Sequence, residues 1–206
     1  AVLFRSSAHS QALEFELMRR DIPYEYRGGQ KFFERAHIKD VVCFLRVAHN
    51  PQDEVAWMRV LGLQTGIGDA SASAIATQVK VATEFGRILV SADALRVPKR
   101  AQDGWREFQA IARDMVESGK TPAHMIRAVS SSTYRDYLER EYPNWRERLE
   151  DLEQLALFAE TYQEVGPFLN DIALYDEVVA GRDGGSTNAA RAGASDEERM
   201  VLSTIH

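Results

Sequence analysis

The chain has 206 residues, 45% hydrophobic and 27% charged, with a formal net charge of −6. This is the make-up of a soluble globular chain of one or two domains, long enough to bury a core. The acidic balance excludes a protein that coats nucleic acid by bulk attraction, so any such contact must be local, through placed amides and a few basic side chains. No stretch reaches the length of a membrane span and no signal peptide is visible. The lone Cys43 falls in an apolar helical pattern and is expected to be a core residue of a cytoplasmic protein. The chain opens without Met on one hydrophobic run and ends on another, so both ends are expected to continue into a longer protein.

Val2-Leu3-Phe4 predicts a short buried strand with Arg5 at its C-terminal end. Ser6 or Ser7 can cap a helix over Ala8–Arg20, whose stripe is Leu13, Leu17 and Met18. After Pro23, Tyr24–Arg27 predicts a second strand that ends at Gly28-Gly29. Strand, helix and strand at this spacing make a parallel α/β unit, with a ligand site expected at the strands' C-terminal ends. From Phe32 onward the pattern is helical, over Ile38–His49, Asp53–Leu63 and Asp69–Phe85, and this part closes near Pro98.

Between the last two of those helices stands Gly66-Ile67-Gly68. Glycine tolerates positive φ and lacks Cβ, so the tripeptide predicts a tight turn whose backbone another molecule can approach. The next helix then offers its free N–H groups at that turn, where a phosphate can sit. Ala72 and Ile75 are placed to pack back on the incoming helix, the pattern of a helix-hairpin-helix that holds nucleic-acid backbone without reading bases. The plainer alternative is a helix–helix turn with Asp69 as its cap.

Ala101–Ser118 is amphipathic, with Trp105, Phe108, Ile111, Ala112 and Met115 on one side. Gly119-Lys120-Thr121 imitates the end of a phosphate-binding P-loop, but Asp114 stands where that motif needs glycine and no strand precedes it. Gly119 as a helix C-cap, Thr121 as an N-cap and Pro122 at the first helical position account for it. Pro122–Val129 and Tyr134–Tyr142 form a second helix–turn–helix around Ser130-Ser131-Ser132-Thr133, which is either a serine-rich surface turn or a phosphate contact. Trp145–Gly166 predicts one long helix and Phe168–Val179 a last one. Gly181–Glu198 reads as a flexible linker, and Met200–Ile205 as a strand returning to the sheet. The five histidines have no metal-ligand spacing and no nucleophile–base arrangement is visible, so no metal site is expected.

Several of these stretches carry a resemblance. Ala1-Val2-Leu3-Phe4-Arg5-Ser6-Ser7-Ala8-His9-Ser10 resembles the fourth helicase motif of the UvrD-like superfamily-one DNA helicases. Tyr26–Arg35, with Gly28-Gly29-Gln30-Lys31-Phe32-Phe33, followed by Ile38-Lys39-Asp40, resembles the family's next signature. Thr65-Gly66-Ile67-Gly68-Asp69 resembles its hairpin, and Leu202-Ser203-Thr204-Ile205-His206 the opening of its fifth motif, which there continues Ser-Ala-Lys-Gly. The resemblance implies a mainly α chain: a helical insertion domain with helix-hairpin-helix elements, attached to an incomplete α/β RecA-like domain. The expected divisions are residues 1–97 for the first part of the RecA-like domain with the hairpin, 98–180 for the helical insertion, 181–198 for the linker and 199–206 for the returning strand.

The same resemblance implies part of an ATP-dependent DNA helicase that moves 3′ to 5′, with ATP and magnesium held elsewhere in the longer protein and none bound by this chain alone. It implies that Arg5 reaches the γ-phosphate across the cleft, acting on charge that develops during phosphoryl transfer. Gly66, Ile67 and Gly68, and at the second turn Ser131, Ser132 and Thr133, would rest on duplex backbone; Thr133 stands where the family usually has glycine. Thr204 and His206 would touch the single strand, and Lys31, Arg35 and Lys39 could add backbone attraction. In the long helix the family's Arg and Asn three apart become Arg148 and Asp151. The expected partners are therefore duplex and single-stranded DNA, with protein partners through the helical insertion and no membrane. The rival readings are a regulatory or protein-interaction module and a non-catalytic domain of a helicase-nuclease.

Overall fold

The computed structural model describes residues 1–4, 10–20, 22, 24–27, 32–79, 85–86, 95–183 and 200–204. Along them run β1 (Val2–Phe4), α1 (Gln11–Arg19), β2 (Tyr24–Arg27), α2 (Ala36–His49), α3 (Glu54–Gly62) and α4 (Asp69–Val79). There follow α5 (Gln102–Ser118), α6 (Pro122–Ser130), α7 (Thr133–Glu141), α8 (Trp145–Ala159), α9 (Val165–Asp183) and β3 (Met200–Thr204). The mainly helical content matches the sequence expectation. The chain forms two compact units, residues 1–35 with 170–206, and residues 36–169.

The first unit is built on a three-stranded sheet of order β1-β3-β2. The strand that arrives last in sequence pairs in parallel with both others, Phe4 opposite Thr204 and Tyr26 opposite Leu202. The middle strand has both of its edges paired, and Leu202 is fully buried with Phe4 and Leu17. Glu14 is buried in α1, where a lone carboxylate would be costly, and it is satisfied locally. It accepts hydrogen bonds from Ser10 Oγ at 2.6 Å, Tyr24 Oη at 3.0 Å and the Phe32 amide at 3.4 Å.

The second unit is a helical assembly around Phe108 of α5, whose ring lies 5.1 Å from Trp57 of α3, 5.3 Å from Trp105 and 6.3 Å from Phe44 of α2. Asp53 starts α3 as predicted, its side chain accepting from the Ala56 amide at 3.0 Å. The buried Asp40 carboxylate joins three helices, taking Arg59 Nε of α3 at 2.6 Å and Tyr134 Oη of α7 at 2.9 Å. Burial, reinforced by Asp40, pushes the Tyr134 phenol well above its ordinary range. Cys43 is buried, and burial raises its thiol too, which suits an inert core residue.

The compact units divide at Ala36, because α2 and α3 pack with α5, α6 and α8. One helix expectation differs in place. The helix expected over Trp145–Gly166 ends at Ala159, where the Tyr162 amide turns back to the Ala159 carbonyl at 3.0 Å, and α9 begins at Val165. Gly166 and Pro167 then fall in the first turn of α9, where proline's missing N–H costs nothing. Phe168 is buried against Phe158 and Tyr162, which pins the new helix start to α8. The linker expected over 181–198 lies outside the described residues from 184 onward.

Candidate nucleic-acid interface

The turn between α3 and α4 divides its two glycines between different tasks. Gly66 has φ of +72°, and a Cβ there would stand 2.4 Å from the Arg100 carbonyl oxygen. It is therefore required by the fold. Gly68 is not in the left-handed region and a Cβ there would meet nothing within 4 Å. Ile67, between them, is buried as expected and anchors the turn, as do Ala72 and Ile75 of α4. Asp69 is the first residue of α4 and not its cap; the Gly68 carbonyl takes that place, accepting from the Ser71 and Ala72 amides at 2.9 Å each. Asp69 is exposed in the first turn, where its charge suits the helix dipole.

A wide, open depression is lined by Gly66, Ile67, Gly68, Asp69, Ala70 and Arg100. The Asp69 and Ala70 amides belong to the first turn of α4, where helical geometry gives no intrahelical partner. Arg100 is exposed beside them, and its Nη2 lies 3.4 Å from Ser71 Oγ. Sequence reading missed this arginine because it is thirty-odd positions downstream and only packing brings it to the turn. Gly104 of α5 is the second missed residue: a Cβ there would be 2.2 Å from the Thr65 carbonyl and 3.0 Å from Ile67 Cγ1. The turn lies directly on the α5 backbone, and Glu107 one turn on accepts from the Thr65 amide at 3.1 Å.

The second turn is differently equipped. Ser130 Oγ donates to the Arg127 carbonyl at 3.1 Å, Ser131 Oγ to the same carbonyl, and Ser132 Oγ to the Val129 carbonyl at 2.6 Å. Ser132 Oγ also caps α7, accepting from the Tyr134 amide at 3.2 Å. Hydroxyl protons given to carbonyls leave lone pairs facing outward, a poor match for an anion. Ser131 also lines a shallow depression with Asp114 and Glu117 of α5. Thr133 is exposed as the first residue of α7.

At the sheet, Thr204 closes β3 in register with Phe4, the last residue of β1, and Ser203 lies opposite Arg27, the last of β2. The three parallel strands thus share one C-terminal edge. Arg5, His206 and Lys31 lie outside the described residues. The Arg35 guanidinium sits 5.4 Å from the Phe32 ring centroid, and Lys39 is exposed on α2. Gly119-Lys120-Thr121 joins two helices: Gly119 ends α5 with φ of +126°, Thr121 caps α6 by accepting from the His124 amide, and Pro122 follows at the first position. Arg148 and Asp151 of α8 both reach the buried His37: Arg148 Nη1 donates to Nδ1 at 2.8 Å, so Nε2–H donates to Asp151 at 2.8 Å. The pair is a helix-to-helix tie. Among the described residues no group of His, Cys, Asp and Glu is placed to hold a metal, and no helix is long and apolar enough to cross a membrane.

Residues 1–96 match the family model described as the UvrD-like helicase C-terminal domain. The chain is 29% identical over 192 residues to the ATP-dependent DNA helicase PcrA of Staphylococcus epidermidis, covering 86% of this chain and 26% of that protein. It is 27% identical over 196 residues to PcrA of Staphylococcus aureus, with the same coverage. The chain spans about a quarter of the length of these curated relatives. These matches, with the helicase-like stretches in the same order along the sequence, support a UvrD/PcrA-like helicase fragment.

Proposed function

We propose that this chain is the part of an ATP-dependent DNA helicase that rests on duplex backbone through the α3–α4 turn. One observation carries the reading: beside Gly68 there is open space, first-turn amides and the Arg100 guanidinium, all at one depression. Amides and a guanidinium on phosphate oxygens position a protein without distinguishing base pairs. The acidic chain thus gains a local contact that its net charge alone opposes. Ile67 is the buried anchor of this contact; Gly66 and Gly68 are its backbone.

In the longer protein, Arg5 would act on the γ-phosphate, while Thr204 and His206 would hold the single strand. Movement 3′ to 5′ comes with the same family reading, as does hydrolysis of magnesium-bound ATP. Gly119-Lys120-Thr121 serves as a helix junction, with Thr121 spent on capping α6, and is not a phosphate loop. Binding of that nucleotide belongs to another part of the longer protein. Ser131, Ser132 and Thr133 could approach duplex only after their hydroxyls turn away from the carbonyls they now serve. The depression lined by Asp114 and Glu117 favours a second use for that side of the helical unit, docking of a basic protein segment.

The test is duplex binding by fluorescence anisotropy across a salt titration. Gly68→Val and Arg100→Gln should each weaken binding to all duplex sequences alike, and Arg100→Gln should flatten the salt slope by about 1. Wild-type affinity and slope in both variants, with normal helicity, would remove the turn from the interface.

A further inference from the structure

A second grouping of cations stands at the start of α8. The Arg146 guanidinium lies 4.5 Å from the Trp145 ring centroid and the Arg135 guanidinium 5.5 Å from the same ring. Arg135 and Arg146 are exposed, and among the described residues neither makes an ion pair. Their neighbours differ in this respect. Arg140 is paired with Glu141 at 3.1 Å, and Arg148 is spent on His37 and Asn144. Both guanidiniums thus lie against one indole with no described carboxylate paired to either. Cation–π attraction at an exposed site is weak and does not replace a counter-ion. An anion with several oxygens supplies the missing counter-charge, and a guanidinium over a ring keeps its in-plane N–H donors available.

We propose that Arg135, Trp145 and Arg146 form a clamp for phosphates of a nucleic-acid backbone, separate from the α3–α4 turn. The choice of nucleic acid as occupant rests on the reading that this chain docks on DNA. Arg135 lies two residues beyond Thr133, so the clamp takes over the contact that the serine-rich turn cannot make with its inward hydroxyls. Asp136, Glu139, Glu147 and Glu150 are exposed on the same helices and repel a polyanion, which limits the grip to one or two phosphates.

The test uses the 206-residue chain and a labelled duplex of mixed sequence. Arg135→Gln/Arg146→Gln should lower the magnitude of the salt slope by about 1–2 and weaken binding on the order of tenfold at low salt. The double Lys variant should keep the slope. Trp57 and Trp105 are buried, so Trp145 dominates any change in indole emission on adding duplex. That change should vanish in the Gln variant. An unchanged slope in the Gln variant overturns the clamp, as does an emission change produced by a Glu-rich peptide and not by duplex. Gly68→Val, measured alongside, separates the two readings. Loss in Gly68→Val alone keeps the turn and removes the clamp; loss in the Gln variant alone keeps the clamp and removes the turn. Absence of duplex binding by the wild-type chain overturns both.

Discussion

Replacing Gly66 by alanine should destabilise the helical unit, while the same change at Gly68 should not. At Gly66 the backbone φ is +72° and the new Cβ would stand 2.4 Å from the Arg100 carbonyl oxygen, against 3.4 Å for an ordinary contact, so the turn must open by roughly 1 Å. Holding a non-glycine residue in the left-handed region costs about 1–2 kcal/mol. Forcing an extra carbon into a packed site adds about 1–3 kcal/mol. The sum is about 2–5 kcal/mol, and for a chain of this length each kcal/mol moves the melting point by about 2–4 °C, so Gly66→Ala should melt about 4–20 °C lower. At Gly68 there is open space. The gain from a stiffer unfolded chain, about 0.4–1 kcal/mol, offsets the poorer cap that alanine makes. Gly68→Ala should melt within a degree or two of wild type. Circular dichroism at the helical band reads both variants. A Gly66→Ala chain that melts with wild type, or a Gly68→Ala chain that falls with it, refutes the division of labour between the two glycines.

Gly104→Ala reverses the sign that helix propensity predicts: a gain of about 1 kcal/mol becomes a net loss of about 2 kcal/mol, because the new methyl meets the Thr65 carbonyl at 2.2 Å; denaturant midpoints decide it. Asp69→Asn removes an exposed carboxylate beside the proposed phosphate, so duplex binding should tighten about two- to threefold at low salt and the gain should fade as salt rises; unchanged affinity would put the backbone elsewhere. Tyr134→Phe removes the hydroxyl donated to the buried Asp40 and should cost about 1.5–3 kcal/mol. Since Tyr134 is held protonated in the fold but ionises near pH 10 when unfolded, wild-type stability should fall as pH rises above about 10. Tyr137, pushed up to about 12 by burial and then by Tyr142, acts in the same direction up to that pH. Tyr134→Phe should therefore lose less stability than wild type between pH 9 and pH 11, and parallel losses would remove Tyr134 as the cause.

Local chemistry made much of the helical unit legible. Asp53 and Thr121 are N-caps, Pro122 is a first-position proline, and the apolar stripe of α5 from Trp105 to Met115 is buried. What stayed hidden depends on distant packing. Nothing in the sequence around Arg100 or Gly104 marks them as neighbours of the α3–α4 turn. The serine run at 130–132 left a surface turn and a phosphate contact both open because a hydroxyl's direction is set by the carbonyl it finds, and here each finds one a turn back in α6. Asp69 looked like a cap by residue type, yet the preceding glycine supplies the carbonyl that closes the first turn. The break after Ala159 was hidden because Glu160–Glu164 contains no proline or glycine, and Pro167 lies in the next helix instead of marking the gap.

The proposed contacts also bound how strongly this chain can hold DNA. Arg100 at the turn and Arg135 with Arg146 at the clamp would neutralise about two to three phosphates, which sets a salt slope of about −2 to −3. First-turn amides add orientation but release no counterion, so they leave the slope alone while still contributing to affinity. A net charge of −6 works against this at long range, and the opposition is screened beyond about 10 Å at 0.1 M salt. Binding by the chain itself should therefore be weak, short in footprint and indifferent to base sequence. A measured slope steeper than about −5 would mean that basic residues other than these three carry the interface, and the reading of both sites would have to be withdrawn.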